Sequence, residues 1–249
     1  MTVEEAPRTR RAGPWERARR LAAVLRQRGA RFIVDLLVDV VWFDVRHGTD
    51  TFRHKPASAG GGPPADGVHY VASFTSVVQR VLDGAERVLG ERFAAAQFVD
   101  LGCGKAKALL VYELRRRSVA HRPAVGVEYD ADLVATAVRN LGRIRPAGAG
   151  ATVVRDDAAN FRRHVSGAPL IVYLYNPFGL ASLRRVLDEL ASIDHVLLYV
   201  DPVHREELLR RGYAVVEEHA GRYHADSWIV ARPPGAPQPG PPRPAGAGA

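Results

Sequence analysis

The spacing of apolar residues changes between the two parts of the chain. From residue 98 onward, short apolar runs predict strands at 98–101, 124–128, 151–155, 170–175 and 195–200. Segments with apolar residues every three or four positions follow the runs and predict helices at 105–117, 131–143, about 158–165, 180–192 and 204–211. Strands that alternate with helices indicate a parallel sheet with helices on both faces. Two late runs, at 213–219 and 225–231, predict an antiparallel hairpin.

The preceding part of the chain has only helical spacing. It predicts helices at 14–29, 30–45 and about 71–92, and a loop at 46–69 that contains a Gly-Gly-Gly-Pro-Pro run. We interpret residues 30–70 as a lid on the substrate side of the next domain. The predicted organisation is a disordered basic tail (1–13), N-terminal helices and lid loop (14–69), one α/β domain (70–232) and a disordered Pro/Gly/Ala tail (233–249).

Charge adds a candidate binding segment at the N-terminus. The formal net charge is +8, of which residues 1–31 contribute +6 through nine arginines and three glutamates. Such a segment can meet nucleic acid, an anionic membrane or an acidic peptide, or it can simply keep the chain soluble. Because 32 of the 35 basic residues are Arg throughout the chain, arginine enrichment alone favours no partner.

Other compositional features limit the class of protein. The single cysteine, Cys103, excludes an intrachain disulfide and a metal site built from several cysteines. The apolar run at 32–43 is too short to span a bilayer and is interrupted by Asp35 and Asp39. No signal-peptide pattern is visible, so we expect a cytoplasmic protein of unknown oligomeric state.

Glycines and acids follow the predicted strands where ligands of parallel sheets bind. The first strand ends in a glycine-rich turn that contains Asp100, Gly102 and Gly104. Glu128 ends the second strand, 24 residues after Gly104, where an acid can accept hydrogen bonds from both ribose hydroxyls. Asp156 and Asp157 follow the third strand, and an acid at this point can receive an adenine amino group.

Together these motifs resemble the class I S-adenosylmethionine (SAM)-dependent methyltransferases. The residues that resemble their first three motifs are Phe98-Val-Asp-Leu-Gly-Cys-Gly-Lys105, Val125-Gly-Val-Glu128 and Asp157-Ala-Ala-Asn-Phe161. The resemblance covers about residues 70–231. It implies a SAM-dependent enzyme of α/β fold, with a Rossmann-like, seven-stranded, mostly parallel sheet, an antiparallel last strand and an N-terminal helical extension.

The resemblance also implies roles for single residues. Asp100, Gly102 and Gly104 would flank the methionine part of SAM, Glu128 would hold the ribose, and Asp157 would hold the adenine. The rest of the expected cofactor-binding set is Tyr70, Cys103, Tyr129, Asp156, Ala158 and Asn176. We expect Cys103 to be a small packing residue and not a nucleophile. Ala106 replaces the family's third glycine, which is tolerable if this residue has right-handed helical dihedrals.

The fourth strand ends in Asn176-Pro177-Phe178, the expected catalytic residues. This tripeptide resembles the Asn-Pro-Pro-Tyr motif of methyltransferases that act on planar amino groups. An Asn side-chain oxygen and a backbone carbonyl can accept two N–H bonds and so orient a nitrogen lone pair, while Phe178 would offer an aromatic face. The alternative is an ordinary strand-to-loop turn built by Asn and Pro.

Two features ahead of the domain extend the resemblance. Phe43-Asp-Val-Arg-His-Gly-Thr-Asp-Thr51 is similar to a segment found in a poorly characterised bacterial subgroup of these methyltransferases. Tyr70, before the first helix of the domain, is similar to the residue that covers the methionine end of the cofactor in Dot1-like enzymes. Both support a lid.

Several functions remain open at this point. A nitrogen of a small molecule or peptide is the favoured methyl acceptor. Alternatives are an O-methyltransferase with His47 or His204 as base, a protein or RNA methyltransferase that uses the Arg-rich N-terminus, and a non-catalytic SAM-binding protein. A nicotinamide dehydrogenase is disfavoured because Lys107 stands where its fingerprint has a third glycine. We expect no metal, because Asn176 has no adjacent Asp.

Overall fold

The structure is a computed structural model and describes residues 32–34, 36–52, 70–116, 121–144, 150–167, 169–222 and 224–236, together with Trp15 and Arg19. The predicted basic tail 1–13 lies outside the described residues. So do nearly all of the helix predicted at 14–29, the Gly-Pro run of the loop and the C-terminal tail beyond 236.

Seven strands form one sheet in the order β3-β2-β1-β4-β5-β7-β6. They are β1 Gln97–Leu101, β2 Val125–Glu128, β3 Thr152–Arg155, β4 Leu170–Tyr175, β5 His195–Val200, β6 Ala214–His219 and β7 Trp228–Arg232. β7 is antiparallel to β5 and β6, and the pairs among β1 to β5 are parallel. The predicted α/β class and late hairpin are confirmed. The last strand begins only at Trp228, because a 3-10 helix occupies His224–Asp226.

In the part of the chain that the structure describes, the α-helices are α1 Trp42–His47, α2 Thr75–Leu89, α3 Lys107–Arg115, α4 Ala131–Ile144, α5 Leu180–Leu190 and α6 Arg205–Arg210. Two predictions need correction. The segment near 158–165 is a 3-10 helix, Ala158–His164. The helix predicted at 30–45 contains a π-helical turn, Leu37–Val41, and extends through α1 to His47, where Gly48 ends it with φ +65°.

Successive residues of a strand pack alternately into two hydrophobic cores, one on each face of the sheet. In β4, Ile171 and Tyr173 face the core shared with α2 and α3, whereas Val172 and Leu174 face the core shared with α5. The strand order reverses between β1 and β4, so the carboxyl ends of these two strands flank the crevice where ligands of such sheets bind.

Asp39 connects the N-terminal helical segment, described at 32–34 and 36–47, to the α/β domain by hydrogen bonds. Its carboxylate accepts a hydrogen bond from the Ser76 hydroxyl (2.5 Å), and its carbonyl oxygen accepts from the Thr75 hydroxyl (2.6 Å) and from Nζ of Lys107 (3.2 Å). Nζ of Lys107 also lies 3.3 Å from the ring centroid of Phe43. Burial lowers the pKa of Lys107 to about 7 despite the nearby charges of Asp44 and Asp39. The helix is thus held by partly buried polar contacts as well as by packing.

His195, at the start of β5, predicts a pH dependence of stability. Its Nδ1 lies 2.7 Å from the Ile193 carbonyl oxygen and its Nε2 lies 2.8 Å from the Tyr213 hydroxyl, an arrangement that suits a neutral ring. Burial lowers the pKa of His195 below its ordinary value. The unfolded chain therefore binds more protons below about pH 6.5. We expect the free energy of unfolding to fall with acidification below that pH, by up to about 1.4 kcal/mol per unit. Denaturant titrations at several pH values would measure this.

The control for this prediction is His195→Asn, whose amide can still donate to the Ile193 carbonyl. The variant should be less stable at neutral pH and should lack this component of the pH slope. Equal slopes for the two proteins between pH 6.5 and the acid limit of folding would contradict the assignment.

Candidate active site

The glycine-rich turn after β1 is closely packed on both sides. Gly102 and Gly104 have φ of +77° and +53°, which side chains rarely adopt. A Cβ on Gly102 would lie 2.4 Å from Cβ of Pro177, and one on Gly104 would lie 2.2 Å from the Tyr70 ring. Glycine is required at both positions, and the turn brings together residues from the end of β4 and from the segment before α2.

Ala106 differs from its expectation. Its φ and ψ are +69° and 27°, in the left-handed region, and it precedes α3 instead of lying within it. The methyl group of Ala106 was expected to be tolerable if this residue had right-handed helical dihedrals, and it does not have them. A left-handed L-residue costs about 1–2 kcal/mol. The side chain is fully buried in the core, so its apolar contacts offset part of this strain.

Two carboxyl groups lie at the turn, Asp100 buried and Glu128 partly buried. Asp100, at the end of β1, is 3% exposed, and burial and then the charge of Glu128 raise its pKa well above the ordinary value. Glu128 ends β2, and burial also raises its pKa. One oxygen of Glu128 accepts a hydrogen bond from the Gly104 N–H (2.8 Å) and the other from the Asp130 N–H (2.9 Å). The site therefore holds two carboxyl groups whose charged forms are disfavoured by burial.

Within the predicted lid, residues 49–52 fold around Asp44. The Asp44 carboxylate accepts from the hydroxyls of Thr49 (2.7 Å) and Thr51 (2.8 Å) and from the N–H groups of Thr51 and Phe52 (both 2.8 Å). The Tyr70 hydroxyl donates to the Thr51 carbonyl oxygen (2.7 Å). Because the Tyr70 ring also lies against Gly104, this segment is connected to the turn through one aromatic side chain.

Asn140 makes a second connection that the sequence did not single out. Its Oδ1 accepts a hydrogen bond from the Asp50 N–H (2.9 Å). Its Nδ2 donates to the carbonyl oxygens of Asp50 (3.2 Å) and Lys105 (3.0 Å). Nζ of Lys105 lies 3.4 Å from the Asp50 carboxylate. The signal available in the sequence was a polar residue on the otherwise apolar face of α4, where Asn140 is 3% exposed.

Asp156 and Asp157 follow β3 as predicted, and both carboxylates already have partners. Asp156 accepts hydrogen bonds from Asn160 (2.7 Å) and His164 (2.8 Å), which lower its pKa to about 2. Asp157 caps the 3-10 helix through the Ala159 N–H (3.0 Å) and pairs with Arg185 (2.9 Å). A role for either in holding an adenine stays a prediction.

The other predicted cofactor-binding residues lie nearby in the chain. Tyr129 follows Glu128 and is 47% exposed, and Ala158 begins the 3-10 helix. Cys103 is buried, and its Sγ lies 2.7 Å from where a Cβ of Gly126 would be. Burial and then the charge of Asp100 raise the pKa of the Cys103 thiol, which favours its protonated form.

The ends of β4 and β5 form a strained pair. Asn176 and Asp201 have φ of +35° and +49°, and Nδ2 of Asn176 donates to Asp201 (3.1 Å). Left-handed dihedrals at non-glycine residues cost energy and cluster at functional sites. In this stretch His204 was singled out from the sequence and Asp201 was missed, although an acid at the end of the strand next to β4 was a usable signal.

The remaining acceptor-side residues are placed differently. Pro177 contacts Gly102, whereas Phe178 is 8% exposed and packs in the core beneath α5. His204 precedes α6. The His47 ring packs against the Phe43 ring, with 4.7 Å between the ring centroids. The structure brings Asn176 and Pro177 to the turn, and it places His47 in the N-terminal helix that is docked on α2 and α3.

Within the described part of the chain, no three His, Cys, Asp or Glu side chains gather in a way that could hold a metal ion. No helix of that part is long and apolar enough to cross a membrane.

Comparison with solved structures identifies the fold. TrmN from Thermus thermophilus superposes with a TM-score of 0.50 and 14% identity over 64% of this chain and 49% of that one. Magnesium protoporphyrin IX methyltransferase (ChlM) from Synechocystis PCC 6803, with bound SAM, superposes with a TM-score of 0.47 and 14% identity. The match covers 64% of this chain and 79% of that one. TrmK from M. capricolum, in complex with S-adenosyl-homocysteine, superposes with a TM-score of 0.46 and 11% identity. The match covers 64% of this chain and 67% of that one.

The sequence matches no protein-family model and no curated protein. This chain spans about half of the Thermus protein, at 49% of its length. The strand order, the antiparallel β7 and the superposition on TrmN indicate the same fold. The chain has the Rossmann-like fold of the class I SAM-dependent methyltransferases.

Proposed function

We propose that this protein is a SAM-dependent methyltransferase. The observation that carries the proposal is a pair of carboxyl groups, the buried Asp100 and the partly buried Glu128, beside the glycine-rich turn near the point where the strand order reverses. Burial disfavours both charges, and a cationic ligand would stabilise them. SAM carries an ammonium and a sulfonium group, so its charge fits this site.

The residues present fit the parts of this cofactor. Asp100 and the backbone of Gly102 and Gly104 would hold the methionine part, and Glu128 the ribose. Tyr129 follows β2, and Asp156, Asp157 and Ala158 follow β3; these residues would line the adenine. When bound, SAM supplies a methyl group on a positively charged sulfur, which a nucleophile can take by direct displacement.

The protein contributes alignment and exclusion of water. Tyr70, between Gly104 and the Thr51 carbonyl, closes one side of the turn. Asn176 and Pro177 close the other. Because Nδ2 of Asn176 is engaged by Asp201, Oδ1 is the atom left to accept a hydrogen bond from the methyl acceptor. This arrangement favours an acceptor that carries N–H groups, which we take to be an amine or amide of a small molecule or peptide.

The proposal is tested first at the level of the ligand. Isothermal titration of the protein with SAM should give saturable binding, and the same titration with NADH should give none. Binding of NADH without SAM would support the dehydrogenase alternative and overturn the proposal. Candidate nitrogen and oxygen acceptors are then offered to the SAM-loaded protein, with transferred methyl as the readout.

Asn176→Ala is expected to separate cofactor binding from methyl transfer. Loss of the amide removes the orienting hydrogen bond, and misalignment of this kind lowers kcat by about 100-fold. The Kd for SAM should change by less than about threefold, since the side chain acts on the acceptor. Titration and steady-state kinetics measure the two effects. A variant with unchanged kcat would refute the role of Asn176. Gln79→Ala, which removes an exposed side-chain amide on α2 away from the turn, is the control and should leave kcat and the Kd for SAM unchanged.

A further inference from the structure

The N-terminal helical segment presents an apolar face to solvent. Val34, Leu37, Val38, Trp42 and Val45 are 56%, 52%, 59%, 59% and 69% exposed. Their spacing of three, four and seven residues places them on one side of the helix. We call these five residues the apolar face.

The opposite side of the same segment is already buried. Phe32, Val40 and Phe43 are 8%, 0% and 7% exposed and belong to the core with α2 and α3. The helix is therefore apolar on both sides, and only one of them is covered by the domain. Contiguous exposed apolar patches mark interaction sites in proteins, and this short segment holds five of the thirteen large exposed apolar side chains in the described part of the chain.

Positive charge adjoins the apolar face along the chain. Residues 1–31, which lead directly into the helix, carry nine arginines and three glutamates. Arg46, in α1, is exposed. Trp15 is helical and 76% exposed, so a second large aromatic side chain lies in the basic part of the sequence. Arginine together with exposed Trp, Leu and Val is the chemistry of segments that lie in a membrane interface.

We propose that the apolar face docks on an anionic lipid surface, with the Arg-rich segment supplying the attraction. Nucleic acid would pair with the arginines and leave the valines, Leu37 and Trp42 exposed. A second copy of the chain would cover the apolar face and bring two segments of charge +6 together. An anionic bilayer satisfies both features at once, since acyl chains accept the apolar side chains and the headgroups pair with the arginines.

The test is co-sedimentation of the full chain with vesicles, and it does not depend on methyl transfer. The protein should bind vesicles of phosphatidylcholine mixed with phosphatidylglycerol, bind pure phosphatidylcholine weakly, and dissociate as salt is added. Trp42→Asp should weaken partitioning by about tenfold or more, because it removes the largest side chain of the apolar face. Val138→Asp, at a 54% exposed site on α4, is the matched control and should bind as the wild type does.

Fluorescence gives a readout that does not require the Trp42→Asp variant to fold. In Trp15→Phe the remaining tryptophans are Trp42 and the buried Trp228, so a blue shift on mixing with anionic vesicles reports Trp42. No shift and no sedimentation would overturn the proposal. Equal weakening by Trp42→Asp and Val138→Asp, binding of RNA but not of vesicles, or a concentration-dependent dimer that ignores vesicles would do the same.

Discussion

Replacing Asp100 with Asn is expected to stabilise the ligand-free protein by about 2 kcal/mol and to weaken SAM binding by at least about tenfold. The Asp100 carboxyl is buried at the end of β1, and burial and the charge of Glu128 raise its pKa. An amide of the same shape removes the charge and its desolvation cost. It also removes the counter-ion of a cationic ligand, so stability and binding change in opposite directions.

The effect on stability has a defined pH dependence. An acid whose pKa is higher in the folded than in the unfolded state contributes stability below its unfolded pKa, near 3.9, and loses it as pH rises through the folded pKa. The difference in the free energy of unfolding between Asp100→Asn and the wild type should therefore be smallest near pH 4 and should increase toward neutrality. Denaturant titrations across this range measure it, and isothermal titration with SAM at neutral pH measures the affinity.

Asp188→Asn is a suitable control for this experiment. Asp188 lies in α5, is exposed, and pairs with Arg211 at 2.7 Å. Exposed pairs contribute less than about 1 kcal/mol, so both stability and SAM affinity should remain near wild type. An Asp100→Asn protein that is less stable than the wild type at neutral pH would contradict the assignment of a buried, unfavourable charge.

Gly102→Ala is expected to cause the largest loss, about 3 kcal/mol of stability together with most SAM binding. The residue has φ +77°, and the added Cβ would lie 2.4 Å from Cβ of Pro177. Left-handed strain costs about 1–2 kcal/mol, and overpacking adds about 1–3 kcal/mol. Relief of the clash requires Pro177 to move away from the turn, and Asn176 would move with it. Thermal unfolding and SAM titration measure both effects.

Gly142→Ala is the matched control, because it makes the same change in an open place. Gly142 lies in α4, and its added methyl group would meet no atom within 4 Å. Alanine is the better helix former, so this variant should be more stable by up to about 1 kcal/mol, with unchanged SAM affinity. Wild-type stability in Gly102→Ala would show that the turn is looser than the structure has it.

Much of the fold was readable from local patterns. The apolar runs predicted β4 and β5 at 170–175 and 195–200, the bounds that the structure has. The late hairpin was also predicted, because two strands close in sequence pair antiparallel. The periodicity did not reveal the π-helical turn Leu37–Val41 or the 3-10 character of 158–164, since both depend on packing around the helix.

The candidate site was readable only in part. Acids and glycines at strand ends are visible in a sequence because a parallel sheet gathers those ends at one edge. What the side chains do there is not visible: Asp157 caps a helix and pairs with Arg185, and Phe178 packs in the core. Asn140 and Asp201 were missed because their partners, Asp50 and Asn176, are distant in the chain.

The sequence by itself determined the α/β class, the order of strands and helices along the chain, and the position of the glycine-rich turn. These follow from residue spacing and from backbone preferences, which act locally. Only the tertiary structure decided that Ala106 is left-handed, that Tyr70 and Pro177 enclose the turn, and that the apolar face around Trp42 remains exposed. The physical reason is that burial, close approach and charge interaction are properties of neighbours in space.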